Sequence, residues 1–283
     1  MGLLILGHIL GDFYIQTNKV AENKKKSVWY LLLHCFLYML GMYILLALFT
    51  GDMILGLEIA FLIGISHICV DLIKIKIDSK NPKSEYSVFL LDQILHILLL
   101  ILIGWIFMIP ARIGIFLSSH SYDSYNTQKD IMIMAAGLIC WKPAAIFISL
   151  VFKVIPKTVE DADREIQKCN YDTEKSQNCE QDIEEQQNCD KDKEEIQKCY
   201  KQTVENKEED IKIGSWIGIL EREIILLLGL MGQYGAIGFV LAAKSLARYK
   251  QLENKSFAEK YLVGTLLSAL IAIASIAICS IFG

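Results

Sequence analysis

The chain has 283 residues, 53% of them hydrophobic, and a formal net charge of −4. That average hides two materials: residues 160–210 hold 18 acidic and 8 basic side chains, a net of −10, which leaves 14 acidic and 20 basic residues, a net of +6, elsewhere. Several apolar runs approach the ~20 residues that cross a bilayer; the pattern excludes a soluble single-core protein, and no nucleic-acid partner is expected.

In chain order, Gly2 to Gln16 is apolar but short, which predicts a short or tilted first span. Met1 leads into it without a basic leader or a small-residue cleavage site, so no secretory signal is expected. Asn18 to Ser27 is polar and carries Lys19, Lys24, Lys25 and Lys26. Val28 to Phe49 reads as a second span containing His34, and Thr50–Gly51–Asp52 as a tight turn. Met53 to Ile73 is a third span that ends with His67 and Asp71; the next stretch, to Glu85, carries four lysines and Pro82. Tyr86 to Ile109 is a fourth span beginning with Asp92 and His96, with Pro110 marking its end or a kink. Ser118 to Lys129 reads as an exposed polar loop containing His120, and Ile131 to Ile155 as a fifth span that Pro143 interrupts.

The acidic insert repeats with a period of ten, each repeat closing on a cysteine: Cys169, Cys179, Cys189 and Cys199. At ~100° per residue ten steps fall ~80° short of three turns, so the repeat draws no straight helical stripe. With so few core-forming residues it reads as a solvated low-complexity linker. Its thiols are expected to stay reduced in the cytoplasm. Beyond it, Gly214 to Tyr249 is too long for one span, and a single span would put Lys244, Arg248 and Lys250 on the wrong side. Two short spans, Trp216 to Met231 and Ala236 to Arg248, remove the conflict, with Gly229, Gly232, Gly235 and Gly238 around the turn. Ala258 to Phe282 is the last span. The expected organisation is an all-α polytopic bundle of seven or eight spans: membrane bundle 1–156, acidic linker 157–212 and C-terminal membrane helices 213–283. Lysines cluster between spans one and two and between three and four, so the positive-inside rule puts those loops and the insert in the cytoplasm and the N-terminus outside.

One pattern recurs within the apolar runs. His8 and Asp12, His67 and Asp71, and, in reverse order, Asp92 and His96 are each spaced i, i+4, which puts both side chains of a pair on one helix face. Spans one and three run inward and span four outward, so in every pair the aspartate lies nearer the cytoplasm. The reversal of the third motif follows from this. The aspartates are expected in one layer and the histidines one turn deeper, with His34 at a similar level. Ionisable side chains in apolar spans mark function, and imidazole with carboxylate is a ligand set for divalent metal. His8, Asp12, His67, Asp71, Asp92 and His96 are the expected ligands of one or two ions, zinc or manganese by ligand type. His34 is a ligand or general base, and Gln16 and Gln93 are outer contacts to the ligands or to substrate. A second polar set, Glu221, Arg222, Glu223, Lys244, Arg248 and Glu259, reads either as interhelical pairing or as an anion site of Arg222, Lys244 and Arg248, with Thr265 and Ser268 beside them.

The opening His8–Ile–Leu–Gly–Asp12–Phe–Tyr–Ile–Gln16 and the run Asp92–Gln93–Ile–Leu–His96 resemble the bacterial membrane family called domain of unknown function 3307. The segments Gly218 to Arg222, Ala236 to Arg248 and Glu259 to Thr265 look like the C-terminal end of its longer members. The resemblance implies a multipass protein of the inner membrane and brings no activity with it. The His/Asp pattern is also similar in kind to small inner-membrane proteins described as metal-dependent hydrolases, in ligand types rather than in aligned residues. The leading expectation is a membrane hydrolase acting through metal on a lipid-linked or phosphate-bearing substrate at the bilayer. The alternatives are a transporter or channel for divalent metal or protons, and a non-catalytic scaffold whose acidic insert recruits a cytoplasmic partner.

Overall fold

The computed structural model describes residues 1–24, 27–80, 85–120, 123–154 and 213–282, and every regular element among them is helical. The acidic repeat and what was expected of it lie outside the described residues. The first helix, α1 (Gly2–Ile9), widens into a π-helical turn over Leu10–Ile15 and stops where Gln16 turns extended. A short α2 (Asn18–Asn23) follows, its first turn capped by the Thr17 hydroxyl, which accepts from the Val20 N–H. Then come α3 (Val28–Thr50), α4 (Met53–Lys80) and α5 (Glu85–Ile106). Gly51, at φ 69°, takes the left-handed turn between α3 and α4, and the Asp52 carboxylate caps α4 by accepting from the Leu55 N–H.

The chain continues through α6 (Ile109–Ser119), α7 (Ser124–Val154), α8 (213–230), α9 (Tyr234–Ala247), a 3-10 turn (Tyr249–Glu253) and α10 (Lys255–Phe282). The α8–α9 turn is a Schellman closure: Gly232, at φ 71°, bonds back to the Gly229 carbonyl and Gln233 to that of Leu228.

Among the described residues, five helices are long and apolar enough to cross a membrane: Val28–Thr50, Met53–Asp78, Glu85–Ile106, Tyr125–Val154 and Lys255–Ile281. Helix α3 shows why. Leu31, Tyr38, Met42 and Leu46 are buried, while Leu32, Phe36, Leu40, Ile44 and Leu48 on another face are exposed. A helix apolar all round needs lipid or protein on every side. Exposed Trp29, Trp105 and Trp216 stand near helix ends, where indole rings favour a bilayer interface.

The first and seventh expected spans are short, as their length in the sequence implied, and two other expectations are corrected. Gly2–Ile15 and Tyr234–Ala247 are short apolar helices, and the 14 residues of α9 rise only ~21 Å against a hydrocarbon core of ~30 Å. The polar loop expected at 118–129 is mostly helix. Pro110 starts α6, which buries Ile109, Ile113 and Leu117 as an i, i+4, i+8 stripe, and the Asp123 carboxylate accepts from the Tyr125 and Asn126 N–H groups at the start of α7. Pro143 does not end its helix either. The Tyr14 hydroxyl enters the ladder one turn earlier, donating to the Leu138 carbonyl at 2.8 Å and accepting from the Lys142 N–H at 3.3 Å. An inserted hydroxyl satisfies the backbone groups that a proline disturbs, and the helix runs on.

Helix α7 is the wall shared by two cores. Ile131 and Ala135 pack with α1, α3, α4, α5 and α6, whereas Met132, Ala136 and Cys140, one position on, pack with α8, α9 and α10. The first core holds the His/Asp pairs.

Candidate metal centre

Seven buried histidine and aspartate side chains converge at the first core. His8, Asp12, His34, His67, Asp71, Asp92 and His96 come from α1 and its π turn, α3, α4 and α5, and each is at most 5% exposed. The π turn carries Asp12 and puts Gly11 against the ring of Tyr38, where any Cβ would run into the ring carbons. π-Helical turns are rare and concentrate at functional sites. Tyr38 is itself fully buried and stacks on His67 at 4.0 Å between centroids, so it cannot swing aside. Gly11→Ala is therefore expected to destabilise the protein by about 1–3 kcal/mol, the usual cost of overpacking a tight core. Thermal unfolding in detergent reads it, and an unchanged midpoint would show that the ring yields.

The closest approaches surround His34. Its Nε2 lies 3.0 Å from His67 Nε2, 3.3 Å from Asp12 Oδ1 and 3.6 Å from Asp71 Oδ2; His67 Nε2 lies 3.8 Å from the same Asp71 oxygen. Ligand atoms of Asp12, His34 and His67, from three helices, all lie within 4.8 Å of one another. Tetrahedral bonds of ~2.0–2.1 Å put neighbouring ligand atoms about 3.3 Å apart, close to the 3.0 and 3.3 Å that separate His34 from His67 and Asp12. Ligand atoms of Asp71, Asp92 and His96 form a second group within 4.8 Å of one another, and the Cys35 thiol reaches a third with His67 and Asp71. Asp71 belongs to two of these groups. The His96 Nδ1 contacts the Asp92 carbonyl at 2.9 Å, while His96 Nε2 and Asp92 Oδ1 are buried with no hydrogen-bond partner among the described residues. Unpartnered buried acceptors are costly, and these two are free to hold a ligand.

The aspartate side of the cluster meets cations. Lys24 Nζ lies 3.4 Å from Asp71 and 4.0 Å from Asp12, and Lys74 Nζ lies 2.6 Å from Asp92. The Gln93 amide donates to Asp12 at 3.2 Å and to Asp92 at 3.1 Å, and its oxygen lies 3.3 Å from His8 Nε2. The histidine side is a nest of rings: His67 lies 4.4 Å from His96, which stacks on His8 at 5.1 Å, and His8 Nδ1 contacts the Tyr38 hydroxyl at 3.2 Å. Three carboxylates thus face two ammonium groups, leaving one uncompensated negative charge while the imidazoles are neutral.

Of the residues expected from the sequence, the six of the i, i+4 pairs, His34 and Gln93 are brought together. Gln16 is not; its amide bonds the Asp12 backbone carbonyl and closes the π turn. His120 is exposed and bonds only its own helix end. Lys24, Lys74, Cys35 and Tyr38 join the cluster without having been expected. Tyr38 lies one turn after His34 and Lys74 three residues after Asp71, spacings that share a face; Lys24 arrives from α2 and has no such signal.

Arg222, Lys244 and Arg248 do not reach this centre. They line a separate cavity among α7, α8, α9 and α10, whose lining includes none of the seven residues.

Residues 1–128 match a family model described as "Protein of unknown function (DUF3307)". The resemblance read from the opening motif therefore holds over the segment that contains every residue of the His/Asp cluster. The C-terminal cavity lies beyond it. No curated protein and no solved structure matches the chain.

Proposed function

We propose that the cluster is the metal centre of a membrane-embedded hydrolase. The observation that carries the reading is the approach of His34 Nε2 to His67 Nε2 at 3.0 Å and to Asp12 Oδ1 at 3.3 Å, in a group of three ligands that leaves a fourth tetrahedral position open for water. Asp71 is suited to bridge to a second ion held with Asp92 and His96. Bound divalent metal would supply a water of lowered pKa and polarise the scissile group.

The chain's own residues have separable tasks in this reading. His34 serves as a ligand rather than a base, because its Nε2 approaches both His67 and Asp12. Gln93 ties His8, Asp12 and Asp92 into one geometry. Lys24 and Lys74, whose side chains are 11% and 16% exposed, are more accessible than the aspartates they pair with and mark the side of approach. Ammonium groups there suit a phosphate-bearing, lipid-linked substrate. By the positive-inside argument, that side faces the cytoplasm of a bacterial inner membrane.

A proton or cation path is the second reading. It is favoured by the chain of imidazoles from His34 through His67 and His96 to His8. Metal analysis separates the two. Protein purified without chelator is expected to carry one or two zinc or manganese ions per chain. An assembled but metal-free protein that moves protons in vesicles would overturn the hydrolase. Topology is checked by single-cysteine labelling: a cysteine placed at Lys24 should react from the cytoplasm and one at Asp123 from outside, and the opposite pattern would reverse the assigned orientation.

A further inference from the structure

We infer that the cavity among α7, α8, α9 and α10 is a phosphate-binding site, distinct from the His/Asp centre. The cavity is about 390 Å³ in volume, and Arg222, Lys244 and Arg248 line it together with Glu221. Its floor is Arg222, only 2% exposed. The guanidinium donates from Nε to the Cys140 carbonyl at 2.5 Å and from Nη1 to the Ser268 hydroxyl at 3.3 Å. Both partners are neutral. Nη2 is buried with no hydrogen-bond partner among the described residues, and so is the Thr265 hydroxyl on the same lining. Arginine keeps its charge; Glu221 and Glu223 act on it electrostatically, but no hydrogen bond among the described residues reaches Nη2, which leaves that donor for a further anion. The planar fork is shaped for two oxygens of a phosphate.

The rim fits the same ligand. Lys244 and Arg248 lie over the Tyr261 ring, at 5.3 Å and 5.9 Å from its centroid, which holds both cations at the cavity. Lys244 Nζ is paired with Glu221 at 2.5 Å, an internal anion that an incoming phosphate would displace. The lining also includes the apolar Ala145, Ile148 and Phe152 of α7 and Ile217 of α8. A cationic floor in a partly apolar lining suits a phosphate carried on an acyl chain as well as a free ion, and the two sources can be told apart.

The test uses the full chain in phosphatidylcholine nanodiscs, titrated with dioctanoyl phosphatidic acid, with dioctanoylglycerol and with inorganic phosphate. Phosphatidic acid is expected to bind at least tenfold more tightly than dioctanoylglycerol. The rim variant Lys244→Gln/Arg248→Gln, whose positions are half-buried and so tolerate change, is expected to lose at least tenfold in that affinity. Glu221→Gln, which frees Lys244, is expected to gain. Competition by millimolar inorganic phosphate would identify the free ion as the natural occupant; binding of phosphatidic acid that phosphate does not displace would identify a lipid headgroup. Equal binding of phosphatidic acid and dioctanoylglycerol, or an unchanged rim variant, would overturn the site. Metal content measured in the same samples is expected to stay constant, and a parallel loss of metal would show that the two sites are one.

Discussion

Asp71→Ala is expected to strip the protein of bound metal and to abolish its stabilisation by added zinc. Asp71 Oδ2 lies 3.6 Å from His34 Nε2 and 3.8 Å from His67 Nε2, and the same side chain groups with Asp92 and His96. No other residue serves both halves of the proposed centre in this way. Loss of a residue that merely orients a ligand costs 10–100-fold in metal affinity, so loss of a shared ligand should exceed 100-fold. At a zinc concentration a thousand times Kd, wild-type protein should gain about 4 kcal/mol from the ion. For a chain of this size that is roughly 8–16 °C in the midpoint. The variant should show neither bound metal nor the shift, while remaining a helical bundle by circular dichroism. Retention of stoichiometric metal by Asp71→Ala would remove Asp71 from the centre; wild-type protein that zinc does not stabilise would remove the centre itself.

Lys74→Met is the second large effect, and its sign depends on whether metal is present. Lys74 Nζ lies 2.6 Å from Asp92 Oδ2, in a pair whose carboxylate is almost completely buried. Methionine keeps the apolar stem and removes the charge, so Asp92 is left without its cation. Breaking a buried pair from one side costs about 3–5 kcal/mol. In metal-free protein the variant should therefore unfold well below wild type. A divalent ion held by Asp71, Asp92 and His96 would replace the missing charge, so zinc or manganese should restore most of the loss. Denaturation with and without added metal measures both arms. A loss of stability that metal does not repair would mean that the lysine permanently occupies the position proposed for the ion, as a proton path would require.

Some of this was legible from residue spacing. The i, i+4 interval of His8 with Asp12, His67 with Asp71 and Asp92 with His96 is a local property of a helix, and it puts each pair on one face whatever the helix packs against. The reversed third pair was read as a consequence of alternating span direction. The all-helical, membrane-spanning character followed from apolar runs such as Val28–Thr50, which offer water no polar face. The turn at Gly232 was legible too, because a residue without Cβ is the usual one to end a helix in the left-handed region.

Other features needed the fold. Nothing in the spacing of His34 told that its Nε2 would reach both Asp12 and Asp71; that depends on how α3 is rotated against α1 and α4. Lys24 comes to the aspartates from a different helix, and the Tyr14 hydroxyl mends α7 at Pro143 across 124 residues of sequence. Gly2–Ile15 read as a uniform apolar run, and only packing against Tyr38 distinguishes its π turn. The sequence alone therefore determined which face of each helix carries the His/Asp pairs. The tertiary structure decided which faces meet, and it separated the His/Asp cluster from the Arg222 cavity, because contacts between helices depend on rotation and depth, which the local pattern of one helix does not encode.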